Sequence, residues 1–78
     1  MKQGLKLSFP QHLIKEPVIF IMAKKYDVMP NIKRASITGT GGEMVLVLEG
    51  TEKNLNKSIQ SLKDQGIGVE LVEGDTAE

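Results

Sequence analysis

His12 is the only side chain whose ordinary pKa lies near neutrality. Gln11 and Leu13 flank it, so no neighbouring acid orients it or stabilises its charge. Ser8, Ser36, Ser58 and Ser61 lack the tight strand-to-helix turn that exposes a nucleophilic serine. Glu16, Glu43, Glu49 and Glu70 are scattered, and none is spaced as a metal ligand, so they read as solvated strand and loop charge. The chain has no cysteine, which excludes disulfides, thiolate metal sites, iron–sulfur clusters and a thiol nucleophile. Gly39-Thr40-Gly41-Gly42 is glycine-rich, but a phosphate loop needs a helix after it, with a lysine at its start. Another strand follows here, so the segment reads as a hairpin turn. These residues assign no catalytic group, metal or cofactor, and the chain reads as a protein that is not an enzyme.

Asn31 carries the one local pattern suited to binding. Its amide can donate to a carboxylate and accept from an ammonium group. It follows Pro30 at a strand entry, beside Met29 and Ile32, which can receive an aliphatic or thioether side chain. A few polar groups in an apolar cleft are what a small-molecule site needs. The competing reading of Asn31 is a turn residue bonded to its own backbone. Lys33 and Arg34 either add charge for a carboxylate or are solvated edge residues.

The elements that position these residues follow from periodicity. Leu5, Leu7 and Phe9 alternate with Lys6 and Ser8, which predicts a strand over Gly4–Phe9 that Pro10 ends. Gln11–Lys15 is a connection. Pro17 starts a helix to about Tyr26, because a first-turn proline has no intrahelical N–H bond to lose. Val18, Ile19, Met22 and Tyr26 share one face of it, with Ile21 on the flank and Phe20 projecting from the other side. Pro30 lies beyond its end and pushes Met29 towards extended geometry. Ile32–Thr38 reads as a second strand, in which Ile32 has the wrong parity relative to Ala35 and Ile37. That predicts a bend or bulge near Lys33, or an Ile32 packed at the strand entry.

Met44–Leu48 is apolar without interruption, the mark of a strand covered on both faces. One face can lie under helices, and the short chain has no second layer for the other. Met44, Val45 and Val47 are therefore the expected homodimer interface. Thr51 and Glu52 open a second helix with the stripe Leu55, Ile59, Leu62, closed by Gly66. Ile67, Val69 and Leu71 alternate as the last strand. The result is one α+β domain over 3–73 with a disordered tail at 74–78. Its order β-α-β-β-α-β predicts a ferredoxin-like, four-stranded antiparallel sheet, spatial order 4-1-3-2, with both helices on one face.

The totals limit the function. The chain has 78 residues, of which ten are basic and ten acidic. A net charge of zero lacks the cationic surplus of a nucleic-acid or anionic-membrane binder. The predicted sheet also lacks the central-strand aromatics on which RNA bases stack. No apolar run is long enough to span a bilayer, and the N-terminus does not read as a signal peptide, so no membrane insertion and a cytoplasmic location are expected.

Several segments carry a family resemblance by their order and spacing: Leu-Lys-Leu-Ser-Phe at 5–9, Pro-Val-Ile at 17–19, Tyr26-Asp27-Val28, Asn31-Ile32 with Ala35 and Ile37, Gly42 with Val-Leu-Val-Leu-Glu-Gly at 45–50, and Gly-Ile-Gly-Val-Glu-Leu-Val at 66–72. Read together, they resemble the NIL domain, the ACT-like regulatory module at the C-terminus of ATPase subunits in methionine-importing ABC transporters. The resemblance implies a dimer with a small amino-acid ligand near its interface, methionine in the transporter. It places Asn31 and Ile32 in that ligand region. The chain departs from the family at Lys33, where an aliphatic residue is usual, and in its shorter hairpin. No ATPase accompanies the domain here, which reads as free-standing. Two functions follow. One is an amino-acid-binding regulatory module acting as a homodimer. The other is an interaction or subunit module in sulfur amino-acid metabolism or transport, partnered by a transporter or metabolic enzyme, without a ligand of its own.

Overall fold

The period-two pattern of the N-terminal segment forms β1 (Lys2–Pro10), which burial shows to be covered on one side at Leu5 and Leu7. A short 3-10 turn over Gln11–Leu13 leads towards α1 (Val18–Tyr26). Then come β2 (Met29–Thr38), β3 (Gly41–Glu49), α2 (Glu52–Asp64) and β4 (Gly68–Val72). The computed structural model describes residues 1–13 and 17–72. The expected tail at 74–78 lies outside the described residues.

Pro17 flanks α1 rather than entering it, and its carbonyl accepts the first helical bond from the Ile21 N–H at 3.0 Å. The helix ends earlier than Pro30 requires. Asp27 adopts the left-handed conformation at φ 55°, and the Val28 N–H reaches back to the Ala23 carbonyl at 3.1 Å. Aspartate is among the few non-glycine residues that visit this region. The stop lets β2 begin at Met29, not at Ile32 as the alternation predicts. Pro30 sits inside β2 opposite Leu48, which an edge strand tolerates.

At α2, the Thr51 hydroxyl accepts the Asn54 N–H at 3.1 Å, the expected N-cap. Gly66 takes φ +90° and donates to Lys63, and Ile67 donates to Leu62, which closes the helix as a Schellman motif.

The strands lie in the order β2-β3-β1-β4 with every neighbouring pair antiparallel, the 4-1-3-2 order read from the other edge. The register of β2 against β3 shifts between Ile32 and Arg34, which places the expected bulge at Lys33. The hairpin turn is confined to Gly39 and Thr40, because Gly41 and Gly42 already pair with Thr38 and Ile37.

Both helices cover one face of the sheet. Leu5, Leu7, Leu46 and Leu48 meet Val18 and Met22 of α1 and Leu55 and Leu62 of α2, with Val28 and Ile67 at the ends. Each such side chain contributes about 1.5–3 kcal/mol when fully buried. Ser58 also lies in this layer, fully buried, its hydroxyl donating to the Asn54 carbonyl at 2.8 Å. Tyr26 packs against the cluster but stays half-buried, so it borders the core rather than closing it.

Candidate functional site

The alternation of β2 sorts the expected ligand residues. Asn31 is opposite Val47, and Met29 is opposite Glu49, on the sheet face that carries no helix. Ile32 is opposite Leu46, a core residue, and therefore belongs to the helix side. Met29 is 66% exposed and Ile32 50% exposed, and Asn31 is exposed as well. The strand thus brings Met29 and Asn31 together and turns Ile32 away from them.

The expected interface trio is also split. Met44 is opposite Leu7 and packs against the core. Only Val45 and Val47 lie on the helix-free face, since successive strand residues alternate. Neither forms the exposed patch expected of them. Val45 is 7% and Val47 3% exposed in the single chain. Lys6 and Arg34 flank Val45 in the neighbouring strands, and long side chains screen a shorter one between them. One row across this face reads Val72, Gly4, Val47, Asn31. It is an apolar strip that ends on an amide, with no side chain at Gly4.

A second apolar feature lies on the helix side of the sheet and includes Phe20. The helices lie over the other strands and leave the helix side of β2 uncovered, so Ile37 is 70% exposed. Between that strand and the start of α1 runs an apolar groove of about 220 Å³. Phe9, Leu13, Phe20, Ala35, Ile37 and Met44 line it. Phe20, which the helical wheel places off the core, is 66% exposed at its rim. Lys24 stands over its ring at 5.9 Å from the centroid. The only sequence signal for this groove was the mismatch between the apolar character of Phe20 and its position.

His12 lies at the surface, bordering a shallow groove between the helices with Lys25, Tyr26, Lys57 and Asp64. Asp64 accepts from the Gln60 amide at 2.8 Å, a surface contact within α2. Among the described residues, no three of His, Asp and Glu come together as a metal cluster, and no helix is long and apolar enough to cross a membrane.

The NIL domain model matches residues 3–71. The chain belongs to the NIL domain family. Methionine import ATP-binding protein MetN 4 of Oceanobacillus iheyensis is 35% identical to it over 77 residues, 94% of this chain and 22% of that protein. MetN 1 of Listeria monocytogenes serotype 4b is 37% identical over 62 residues, covering 74% of this chain and 18% of that protein. This NIL domain therefore spans about a fifth of the length of the curated relatives it matches. A crystal structure of the C-terminal domain of an ABC transporter ATP-binding protein from Enterococcus faecalis shares the fold. Its TM-score is 0.80 at 24% identity, over 90% of this chain and 82% of that one.

Proposed function

We propose that this NIL domain is a cytoplasmic regulatory module that binds a small amino acid of methionine's kind and works as a homodimer. Its partner is a transporter or a metabolic enzyme. The observation that carries the reading is the position of Asn31. Its amide stands exposed at the end of the Val72–Gly4–Val47 row, with exposed Met29 on the same face. An amide meets both the carboxylate and the ammonium of an amino acid, and exposed Met29 beside it suits its side chain. A sheet face alone is too flat to enclose a ligand, since small-molecule sites bury most of the ligand's surface. A second copy laid on the same face supplies the missing wall, which ties the ligand to the dimer. Ile32 supports the strand from the other side. The family and the methionine-import relatives point the same way.

The test is a thermal-shift and NMR screen over the proteinogenic amino acids. A ligand at 100 times its Kd raises stability by about 2.7 kcal/mol. Methionine or a relative is expected to raise the melting temperature and to shift amide resonances at Met29–Lys33. Asn31→Ala is expected to weaken that binding and to leave the unliganded melting point within a few degrees, because the side chain is exposed. If no amino acid at millimolar concentration moves a resonance there, the ligand reading fails and the ligand-free interaction module replaces it.

A further inference from the structure

We infer that two copies pack their helix-free faces about a two-fold axis parallel to the strands, midway between β1 and β3. Arg34 of each copy then pairs with the partner's Glu70. This arrangement rests on the homodimer proposed above and adds the register of its two sheets.

The strand pairing lays out the charges that carry it. Lys2 stands opposite Glu49, with Met29 beyond. The row Glu70, Lys6, Val45, Arg34 crosses the middle of the face. The next row holds Gly68, Ser8, Glu43 and Ser36. Lys2, Lys6 and Arg34 therefore balance Glu43, Glu49 and Glu70, and the face selects no partner of a single charge sign. Lys2 and Lys6 each have an acid directly opposite in their own sheet, Glu49 and Glu70. Arg34 does not. Its cross-strand neighbour is Val45, and it lies exposed on the edge strand β2. An acid for it has to come from the facing layer.

Sheets packed face to face keep their strands within about 30° of each other, so rows meet rows. The position of the axis decides which side chains are opposed. Midway between β1 and β3, it lays β4 over the partner's β2 and β1 over the partner's β3. Glu70 meets the partner's Arg34, Lys6 the partner's Val45, and Lys2 the partner's Glu49. No like charges face each other, and each copy is complementary to itself, as a two-fold contact requires. An axis along β1 sets Lys6 on the partner's Lys6, and one along β3 sets Lys6 on the partner's Arg34. An axis across the strands at the Lys6 row opposes every charge in that row to its own equivalent. Shifted half a row either way, it sets Arg34 on the partner's Asn31 or Ser36, and neither is acidic. An axis between β1 and β4 opposes Glu70 to Lys6 but overlaps only those two strands and leaves Arg34 untouched. The central axis also sets Asn31 across from the partner's Val72, so each ligand site takes an apolar wall from the other copy.

The test is sedimentation of the whole chain and two charge reversals at low ionic strength, where charge pairs are least screened. Arg34→Glu and Glu70→Arg are each expected to raise the dimer dissociation constant about tenfold or more, because each sets like charges face to face. Both side chains are exposed, and a retained melting transition confirms that each variant folds. An equimolar mixture of the two variants is expected to recover most of the wild-type association. In the mixed dimer one pair is native and the other is reversed in sign. Arg34 and Glu70 lie on opposite edges of the sheet with β3 and β1 between them, so no contact within one chain produces that recovery. A wild-type dimer that both reversals leave intact overturns the inference and leaves the homodimer standing. So does a mixture that associates no better than the separate variants. A wild type that stays monomeric at high micromolar concentration removes the homodimer and the inference with it.

Discussion

A Cβ built on Gly41 would stand 2.7 Å from the carbonyl oxygen of Phe9, closer than real side chains come to backbone. The cause is the pairing of β1 with the first residues of β3, where Gly41 faces Pro10. Gly39, two residues earlier, has nothing within 4 Å of its Cβ position. The two glycines look equivalent in the sequence, and only the register tells them apart. Gly41→Ala is therefore expected to cost about 1–3 kcal/mol, since overpacking against backbone cannot be relieved by a rotamer change. Gly39→Ala is expected to be neutral or stabilising by up to about 1 kcal/mol through the unfolded chain. Thermal denaturation of the pair checks this, with each kcal/mol shifting the midpoint by about 4–8 °C in a domain of this size. Equal midpoints would show that the close approach at Phe9 relaxes freely. Tyr26 shows the opposite limit of residue-level reading: a helical wheel places it on the inner face but does not say how far that face extends beyond the sheet.

At the scale of elements, the bulge at Lys33 keeps both halves of β2 in phase with β3. Pro30 and Ile32 lie on the helix side before it, and Ala35 and Ile37 lie there after it. The broken parity of Ile32 made the bulge legible, because one extra residue is what restores the alternation. Deleting Lys33 is expected to join Ile32 directly to Arg34, whose partners Leu46 and Val45 are already adjacent, so the ladder closes without the bulge and both halves keep their faces. The expected result is a folded domain that keeps the wild-type cross-strand NMR contacts on both sides of the deletion. Loss of those contacts on one side only would show that half of the strand has slipped by one residue. The start of β2 was less legible. Pro30 marks the end of a helix plainly, but proline in an edge strand looks the same as proline in a loop. The αL stop at Asp27 carried no glycine to announce it. The burial of Ser58 was hidden for a similar reason. A serine bonded to its own helix, to Asn54, satisfies its hydroxyl without any partner visible in the sequence.

For the molecule as a whole, strand order followed from two crossovers, and the buried third strand followed from its apolar run. What lies over each face did not follow, because side-chain parity says which residues share a face and not how far a neighbour screens them. Val47, expected in the exposed patch, is 3% exposed. That burial makes Val47→Lys a poor test of the proposed dimer, since burying a lysine there costs folding as well as association. Met29 is a better probe. It is 66% exposed on the helix-free face, and it pairs with Glu49, so Met29→Lys adds a favourable cross-strand charge pair to the monomer. In a dimer joined through that face, the same lysine meets the facing copy in place of an apolar side chain. The expectation is that the wild type sediments as a dimer at micromolar concentration and Met29→Lys as a folded monomer. Ile37→Lys, on the helix side of the same strand, is expected to stay dimeric. A monomeric wild type at high micromolar concentration removes the homodimer. A dimer that survives Met29→Lys but not Ile37→Lys moves the association from the sheet face to the groove.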